Sequence, residues 1–436
     1  MSNAPELDAS QQLPNPVHRA GWVLSLLVFL NVLNIVDRNL LASFAPQLTA
    51  DLNLSDFEFG LLNGVVFVFF YAVMGLFVGR LADRHHRPRL IAAGLVLWSA
   101  LTMVSGAAKN FVQLAIARMF IGVGESALTP SSMSMLADLY PQHKRGAVTG
   151  LYYLGVPLGA GASFVIAGVI GPMIGWRNCF YVLGGLGLLL TPLLLLTRDP
   201  KRGHFDVVKP DPLADMGLIV ALRQVYTLCR ERPALGFAMI GSVFMHIPIG
   251  AASFALLWLV RERGFGESEI QILYGSLLFV FGFVGTFLGG YLSDWYQARF
   301  AGGRLRFLAW FLIVLTPLLL GYRFVSPESP FFYVAMSAGL VSFMAFYAPV
   351  FSTVQDLSPP DMRGVSTAVL LFMSNILGIG LGAVTVGALS AGYTAIDIAQ
   401  PLTWSLITVD LLSIFTVVSF WIGSVYYERD KHLIIK

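Results

Sequence analysis

Asp138-Leu139-Tyr140-Pro141-Gln142-His143-Lys144-Arg145-Gly146 returns 218 residues further on as Asp356-Leu357-Ser358-Pro359-Pro360-Asp361-Met362-Arg363-Gly364, with Asp, Leu, Pro, Arg and Gly in matching places. A second set, Glu58, Gly64, Gly79 and Asp83, returns as Glu269, Gly275, Gly290 and Asp294, each 211 residues on. A seven-residue difference in spacing between the two sets accounts for the change of offset. The chain therefore reads as a duplication, and the architecture has to be one that a half-length unit can build twice in the same sense.

Each copy is made of long apolar runs. The 436 residues are 56% apolar and only 12% charged, with a mean hydropathy of +0.72. A soluble domain carries about 25% charged residues, so this chain lacks the polar surface to dissolve and belongs in a bilayer. Spans of about 20 apolar residues are expected at 21–46, 58–82, 89–108, 111–137, 146–170 and 177–197, then at 234–260, 268–293, 306–323, 330–355, 364–389 and 402–427. The fold class expected is an all-α membrane protein of twelve transmembrane helices. Its parts are a tail (1–20), a six-helix bundle (21–197), a linker (198–233), a second bundle (234–427) and a tail (428–436). No room is left for a soluble catalytic domain.

The net charge of +3 matters less than where the bases sit. Alternate connections, counted from the N-terminal tail, hold 21 Lys and Arg, the others hold 5, and Arg38 and Arg118 lie within spans. That asymmetry predicts a multi-pass protein with both termini in the cytoplasm. Within the linker, Leu213 to Cys229 has apolar residues at helical spacing with Arg223 and Arg230 among them, and is expected to lie along the cytoplasmic face as a surface helix. Cys179 and Cys229 fall on opposite sides, so no disulfide is expected. The stretch Met1 to Arg19 is polar, and the first apolar segment is expected to be retained as a span. Nothing implies nucleic acid.

The connection after the second span reads Gly79-Arg80-Leu81-Ala82-Asp83-Arg84-His85-His86-Arg87-Pro88-Arg89. It resembles the cytoplasmic signature of the major facilitator transporters, whose architecture is two six-helix halves in parallel repeat. His86 stands where the family usually has glycine. The resemblance implies alternating access, with a substrate site between the halves near the bilayer midplane. A carboxylate at a helix end can pair with arginines, or with the positive N-terminus of a neighbouring helix, in one conformation only. Gly79, Asp83, Arg84 and Arg145, with Asp294 and Arg363 in the second copy, are therefore expected to form a conformational latch.

Ionisable residues inside spans are functional candidates by default. Asp37 and Arg38 are adjacent in the first helix, and the fourth carries Arg118-Met119-Phe120-Ile121-Gly122-Val123-Gly124-Glu125. Seven residues turn a helix through about 700°, so Arg118 and Glu125 share a face about 10 Å apart along the axis. Counting about 1.5 Å per residue, Arg118 lies roughly 11 Å down, Asp37 and Arg38 roughly 12 to 14 Å, and Glu125 deeper by about 10 Å. Two acids and two bases make a net-neutral cluster that is cheaper to bury. Asp37 and Glu125 are the candidate proton carriers, and Arg38 and Arg118 the groups that hold an anion.

The fifth helix reads Tyr152-Tyr153-Leu154-Gly155-Val156-Pro157-Leu158-Gly159-Ala160-Gly161, and Gly378 and Gly382 lie in the eleventh. Both have the small-xxx-small spacing of close helix contacts, and Pro157 predicts a kink. Asp37-Arg38, Arg118 through Ser126, and Tyr153 through Gly159 together resemble the Spinster branch. That resemblance implies proton-coupled transport of a lysophospholipid or sphingosine phosphate. The organic anion:cation symporters share the aspartate-arginine and arginine-glutamate pairs, and imply a small organic anion instead. Tyr153, His246, Phe346 and Asn375 are further candidates for the substrate cavity, and Asp410 in the last helix is acidic with no evident basic partner. Helix 10 offers an aromatic wall in Phe331, Phe332, Tyr333, Phe343, Phe346, Tyr347 and Phe351. No zinc, haem or phosphate-loop spacing and no catalytic set is found, so neither a cofactor nor an enzyme is expected. The expected partners are a lipid or small-molecule substrate, protons and membrane lipids, with the chain acting as a monomer.

Overall fold

The computed structural model describes residues 16–202, 205, 218–359 and 362–435. Among them are twelve helices long and apolar enough to cross a membrane. The first six are α1 (Ala20–Ser43), α2 (Asp56–Gly79), α3 (Arg87–Gly106), α4 (Phe111–Leu139), α5 (His143–Val169) and α6 (Gly171–Leu196). The second six are α7 (Pro233–Arg261), α8 (Glu267–Gln297), α9 (Gly303–Gly321), α10 (Pro330–Leu357), α11 (Arg363–Ala395) and α12 (Pro401–Leu433). All lie within six residues of the expected spans. The start of α6 differs most among the first six, because Gly175 with φ 80° and the polar Arg177 interrupt the apolar run. Arg177 there serves the fold: it donates to the carbonyls of Gly106 and Ala108 at 2.9 and 2.6 Å and to Asp51 at 2.9 Å.

Several spans are broken where the sequence removes a backbone bond. Pro157 cannot donate to the carbonyl one turn back, and α5 duly divides at Leu154 into Gln142–Tyr153 and Gly155–Val169. A π-helical stretch, Ser374–Gly380, sits in the middle of α11. Opposite it α2 divides at Gly64, which packs on the Gly380 carbonyl, an approach that excludes a side chain. Similar contacts recur between the halves. A Cβ on Gly60 would lie 2.6 Å from the Ala383 carbonyl oxygen, and one on Gly161 would lie 2.8 Å from that of Gly275.

The linker helix runs over Leu218–Glu231, and the expected residues 213–217 lie outside the described residues. It turns Val225 and Leu228 onto a core with Leu235, Met239 and Leu305 of the C-terminal six helices, and leaves Ile219, Val220 and Tyr226 exposed. It is thus a surface helix bound to one half.

The buried core shows how the halves meet. One apolar cluster belongs to the first six helices and one to the second, while a third, with Phe44, Phe59, Phe164, Phe254, Trp258 and Tyr274, is shared. The shared cluster lies toward the end of the bundle away from the basic connections. At that far end Arg261 donates to Asp56 at 2.8 Å and to the Thr49 hydroxyl at 2.8 Å, Ser390 donates to Asp56 at 2.6 Å, and Gln271 donates to the Ser43 carbonyl at 2.8 Å. These bonds join the first half to the second. The far end is closed.

Candidate functional site

A cavity of about 210 Å³ separates the halves on the near side of that closure. Arg38, Asn63, Phe67, Tyr71 and Arg118 line it from the first half. Ser253, Tyr274, Phe343, Tyr347 and Asn375 line it from the second. One wall carries both arginines; the facing wall is largely apolar, with Tyr274, Phe343 and Tyr347 its aromatic residues.

The cationic wall follows from helix geometry. Asn34 and Arg38 are four residues apart and share a face of α1; Arg38 Nη2 lies 3.5 Å from Asn34 Oδ1. Arg38 reaches across to α4 and holds Glu125 Oε2 through Nη2 at 2.9 Å and Nε at 3.2 Å. Its guanidinium also lies over the rings of Tyr71 and Phe67, at 4.3 and 5.2 Å, and Arg118 lies over Phe67 at 4.6 Å. Phe67 comes this close because Gly122 of α4 lacks a Cβ, which would sit 2.7 Å from the Phe67 carbonyl oxygen. The glycine-rich turn before Glu125 is what lets two guanidiniums share one ring.

All four expected charges gather here, but not alike. The arginines line the cavity, whereas Asp37 and Glu125, 3% and 1% exposed, stand in the wall behind them. Of Arg118 and Glu125, which their spacing places on one face of α4, Arg118 lines the cavity and Glu125 does not. Arg118 is buried, its Nη2 lies 3.5 Å from the Arg38 carbonyl oxygen, and its Nε has no partner among the described residues. Asp37 faces α3, where the Thr102 hydroxyl lies 2.7 Å from its Oδ2 and 2.9 Å from the Trp98 carbonyl. That hydroxyl has one proton for two acceptors. Ionised Asp37 takes it, and protonated Asp37 can itself donate to Thr102, whose proton then turns to Trp98.

Of the remaining cavity candidates, only Asn375 lines it, from the π-helical stretch of α11. Tyr153 is half exposed and stands edge-on to Tyr152, outside the lining. His246 is buried within the C-terminal helices, its Nδ1 2.7 Å from the Ser242 carbonyl and its ring packed edge-on to Phe346 and Tyr347. Phe346 is fully buried behind Tyr347, so the aromatic wall of α10 is Phe343 and Tyr347. Asp410 does have a basic partner, Arg323 at 3.1 Å. Arg323 stands at the last position of the expected span 306–323, two residues past the end of α9, and its side chain folds back over Trp258 at 4.6 Å. Tyr71 and Tyr274, which reasoning from charge passed over, are the aromatic groups at the centre of the cavity.

At the end of the basic connections, the repeat resolves into matching constructions. Arg145 donates to the carbonyls of Tyr140 and Ala137 at 3.2 and 2.7 Å, and Arg363 to that of Gln355 at 3.1 Å, so each arginine caps the last turn of the span before it. Arg304 bridges Asp294 at 2.8 Å and Asp356 at 2.6 Å, and Arg87 likewise bridges Asp138 and Asp199. Arg87 and Arg304 were not singled out from the sequence, although each sits at the start of the third span of its copy. Gly79 and Arg84 lie in the helix that continues α2, while the Asp83 side chain is outside the described residues.

Comparison with known proteins agrees with this architecture. The family description of the Major Facilitator Superfamily matches residues 27–383. An MFS-type efflux pump of Mycolicibacterium smegmatis is 30% identical over 421 residues, 94% of each chain. Protein spinster of Drosophila melanogaster is 26% identical, over 86% of this chain and 62% of its own, and a probable sphingolipid transporter spinster homolog 1 of Arabidopsis thaliana is 24% identical, over 82% and 80%. A crystal structure of a bacterial homologue of the human lysosomal transporter Spinster, inward-facing and unoccupied, superposes with a TM-score of 0.78 at 25% identity, over 96% of this chain and 98% of that one. With twelve helices in two matching sets around a central cavity, the chain is an integral membrane protein that belongs to the major facilitator superfamily, a transporter of the Spinster type and not an enzyme.

Proposed function

We propose that the protein moves an amphipathic anion, a single-chain phosphorylated lipid or lysophospholipid, by alternating access coupled to protons. The observation that carries this reading is the buried Arg118, which lines the cavity with a guanidinium nitrogen that nothing among the described residues accepts from. A buried cationic donor without an acceptor is costly, and an anionic head group supplies one. The aromatic wall opposite takes an apolar tail. Arg38 links the two events, because it serves Glu125 in this structure and lies on the cavity. When Glu125 carries a proton, Arg38 is released to the head group; when the head group leaves, the pair reforms. Asp37, with its Thr102 switch, is the second carrier.

The basic end is taken as cytoplasmic by the asymmetry of Lys and Arg, with both termini inside and the protein working as a monomer in a bacterial inner membrane. The closed far end then makes this the inward-facing state. Asp83 with Gly79, Arg84, Arg145, Asp294 and Arg363 forms the latch of the opposite state. The modest size of the cavity, about 210 Å³, favours a second reading in which a small organic anion is carried.

Counterflow in proteoliposomes under an imposed pH gradient separates the two. Each buried methylene contributes about 0.8 kcal/mol, so affinity for phosphorylated single-chain lipids should rise about fourfold per methylene that enters the cavity, and Arg38→Ala should weaken all of them. Affinity indifferent to chain length, with saturable uptake of a small acid, refutes the lipid reading.

A further inference from the structure

A second, smaller cavity lies inside the C-terminal six helices, lined by Tyr274, Thr316, Tyr322, Arg323, Ser342 and Asp410 among apolar neighbours. It measures about 50 Å³. A water needs roughly 10–15 Å³ on the same scale, so the space admits a compact ion with a few waters and excludes a lipid tail. Arg323 is 7% exposed. Its Nε is engaged by Asp410 at 3.1 Å, but its Nη1 is buried and has no partner among the described residues.

The unpartnered arginine donors favour an anion. Arg263 and Arg323 lie over the Trp258 ring, at 5.4 and 4.6 Å, and both are close enough to feel each other. Arg263 donates to the Val325 carbonyl, and its Nε also lacks a partner among the described residues. Of the acids nearby, Asp410 answers one arginine. Glu262 is turned away to cap α12, accepting from the Leu402 and Thr403 amides at 2.7 and 2.8 Å and from the Thr403 hydroxyl at 2.6 Å. Its charge there is met by the positive end of the helix. The two arginines and the two acids balance in charge, and what is left over is a donor: Arg323 Nη1, buried on a residue that lines the cavity, with nothing among the described residues to accept from it.

We propose that this cavity binds a compact monovalent anion, a halide or a one- or two-carbon carboxylate, on the Nη1 side of Arg323. The site is distinct from the Arg38–Arg118 wall, but Ala252, Tyr274 and Phe343 are common to both linings, so an ion here props the aromatic wall of the transport cavity.

The test uses the full-length protein purified in gluconate and titrated with bromide, formate and, as the size control, octanoate. Melting temperature should rise and saturate with bromide and formate but not with octanoate. Crystals grown in bromide should show an anomalous peak within hydrogen-bonding distance of Arg323 Nη1. Asp410→Asn removes the competing carboxylate and should tighten bromide binding about tenfold, whereas Arg323→Gln should abolish the saturable response. Absence of the anomalous peak from the unaltered protein, with only a linear salt effect on melting, would mean that water alone fills the cavity and overturns the proposal even if Arg323→Gln fails to fold. Equal bromide affinity in Asp410→Asn would overturn it as well.

Discussion

Asp56→Ala, at the start of α2, is expected to open the end of the transporter that is closed in this structure. Asp56 accepts from Arg261 at 2.8 Å and from Ser390 at 2.6 Å, and both donors belong to the other half. Bonds that exist only when the halves meet change the closed-to-open equilibrium by their full worth. The side chains of Arg261 and Asp56 are 40% and 14% exposed, so this screened pair contributes no more than about 1 kcal/mol. The hydroxyl-to-carboxylate bond adds about 1.5 kcal/mol, because Ser390 is buried and left without an acceptor. The total is about 1.5–2.5 kcal/mol, a shift toward the open far end of roughly 13- to 70-fold. Asp56→Asn keeps an acceptor and loses only the charge, about 1 kcal/mol or roughly fivefold. Spin labels at Lys109 and Glu269, both exposed at that end, on a background with Cys179 and Cys229 changed to serine, report the opening as a longer distance. A distribution unchanged in Asp56→Ala, or one shifted as far by Asp56→Asn, refutes the gate.

Three further expectations concern coupling, conformation and topology. Glu125→Gln and Asp37→Asn should each abolish accumulation driven by a pH gradient while exchange down a substrate gradient continues; if both variants still accumulate substrate, the proton travels elsewhere, with Asp410 the next acid to change. Asp83→Asn should shift the population between inward- and outward-facing states with ligand binding retained, and an unaltered distance distribution with full transport would dispose of the latch. Burial pushes the Cys229 thiol up to about 11, so maleimide should label it slowly at neutral pH, about tenfold faster per pH unit until that value is passed, and only from the cytoplasmic side. Labelling from the outside alone would reverse the proposed topology.

The spans were legible because a bilayer imposes a length and an apolarity that few other structures need, and because Pro157 and the charged blocks mark where helices bend and stop. The cluster at Asp37, Arg38, Arg118 and Glu125 was legible for the same reason, since a charge inside an apolar run is costly to bury and is rarely kept without a task. What the sequence did not reveal was orientation around the helix axis. Spacing along α4 put Arg118 and Glu125 on one face, yet one fronts the cavity and the other backs it, since the division between them is made by the neighbouring α1 and Arg38. Arg323 escaped for a related reason: it stands at the last position of an expected span, and only the fold shows that its side chain returns to Asp410. His246 and Phe346 were reasonable candidates by depth, but depth does not separate a wall from the layer behind it.

The glycine contacts between the halves have a consequence of their own. Where α2 meets α11 and α5 meets α8, at Gly60 and Gly161, the touching surfaces are backbone, so no rotamer can move aside to admit a larger neighbour. Such a surface acts as a hinge plate, and a methyl group on it is a doorstop. Gly60→Ala or Gly161→Ala wedges only the state in which the plates are flush and leaves the other untouched. A single carbon at these positions therefore becomes a means of trapping the transporter with its far end open for structural work, with the charge cluster and the cavity chemistry unaltered.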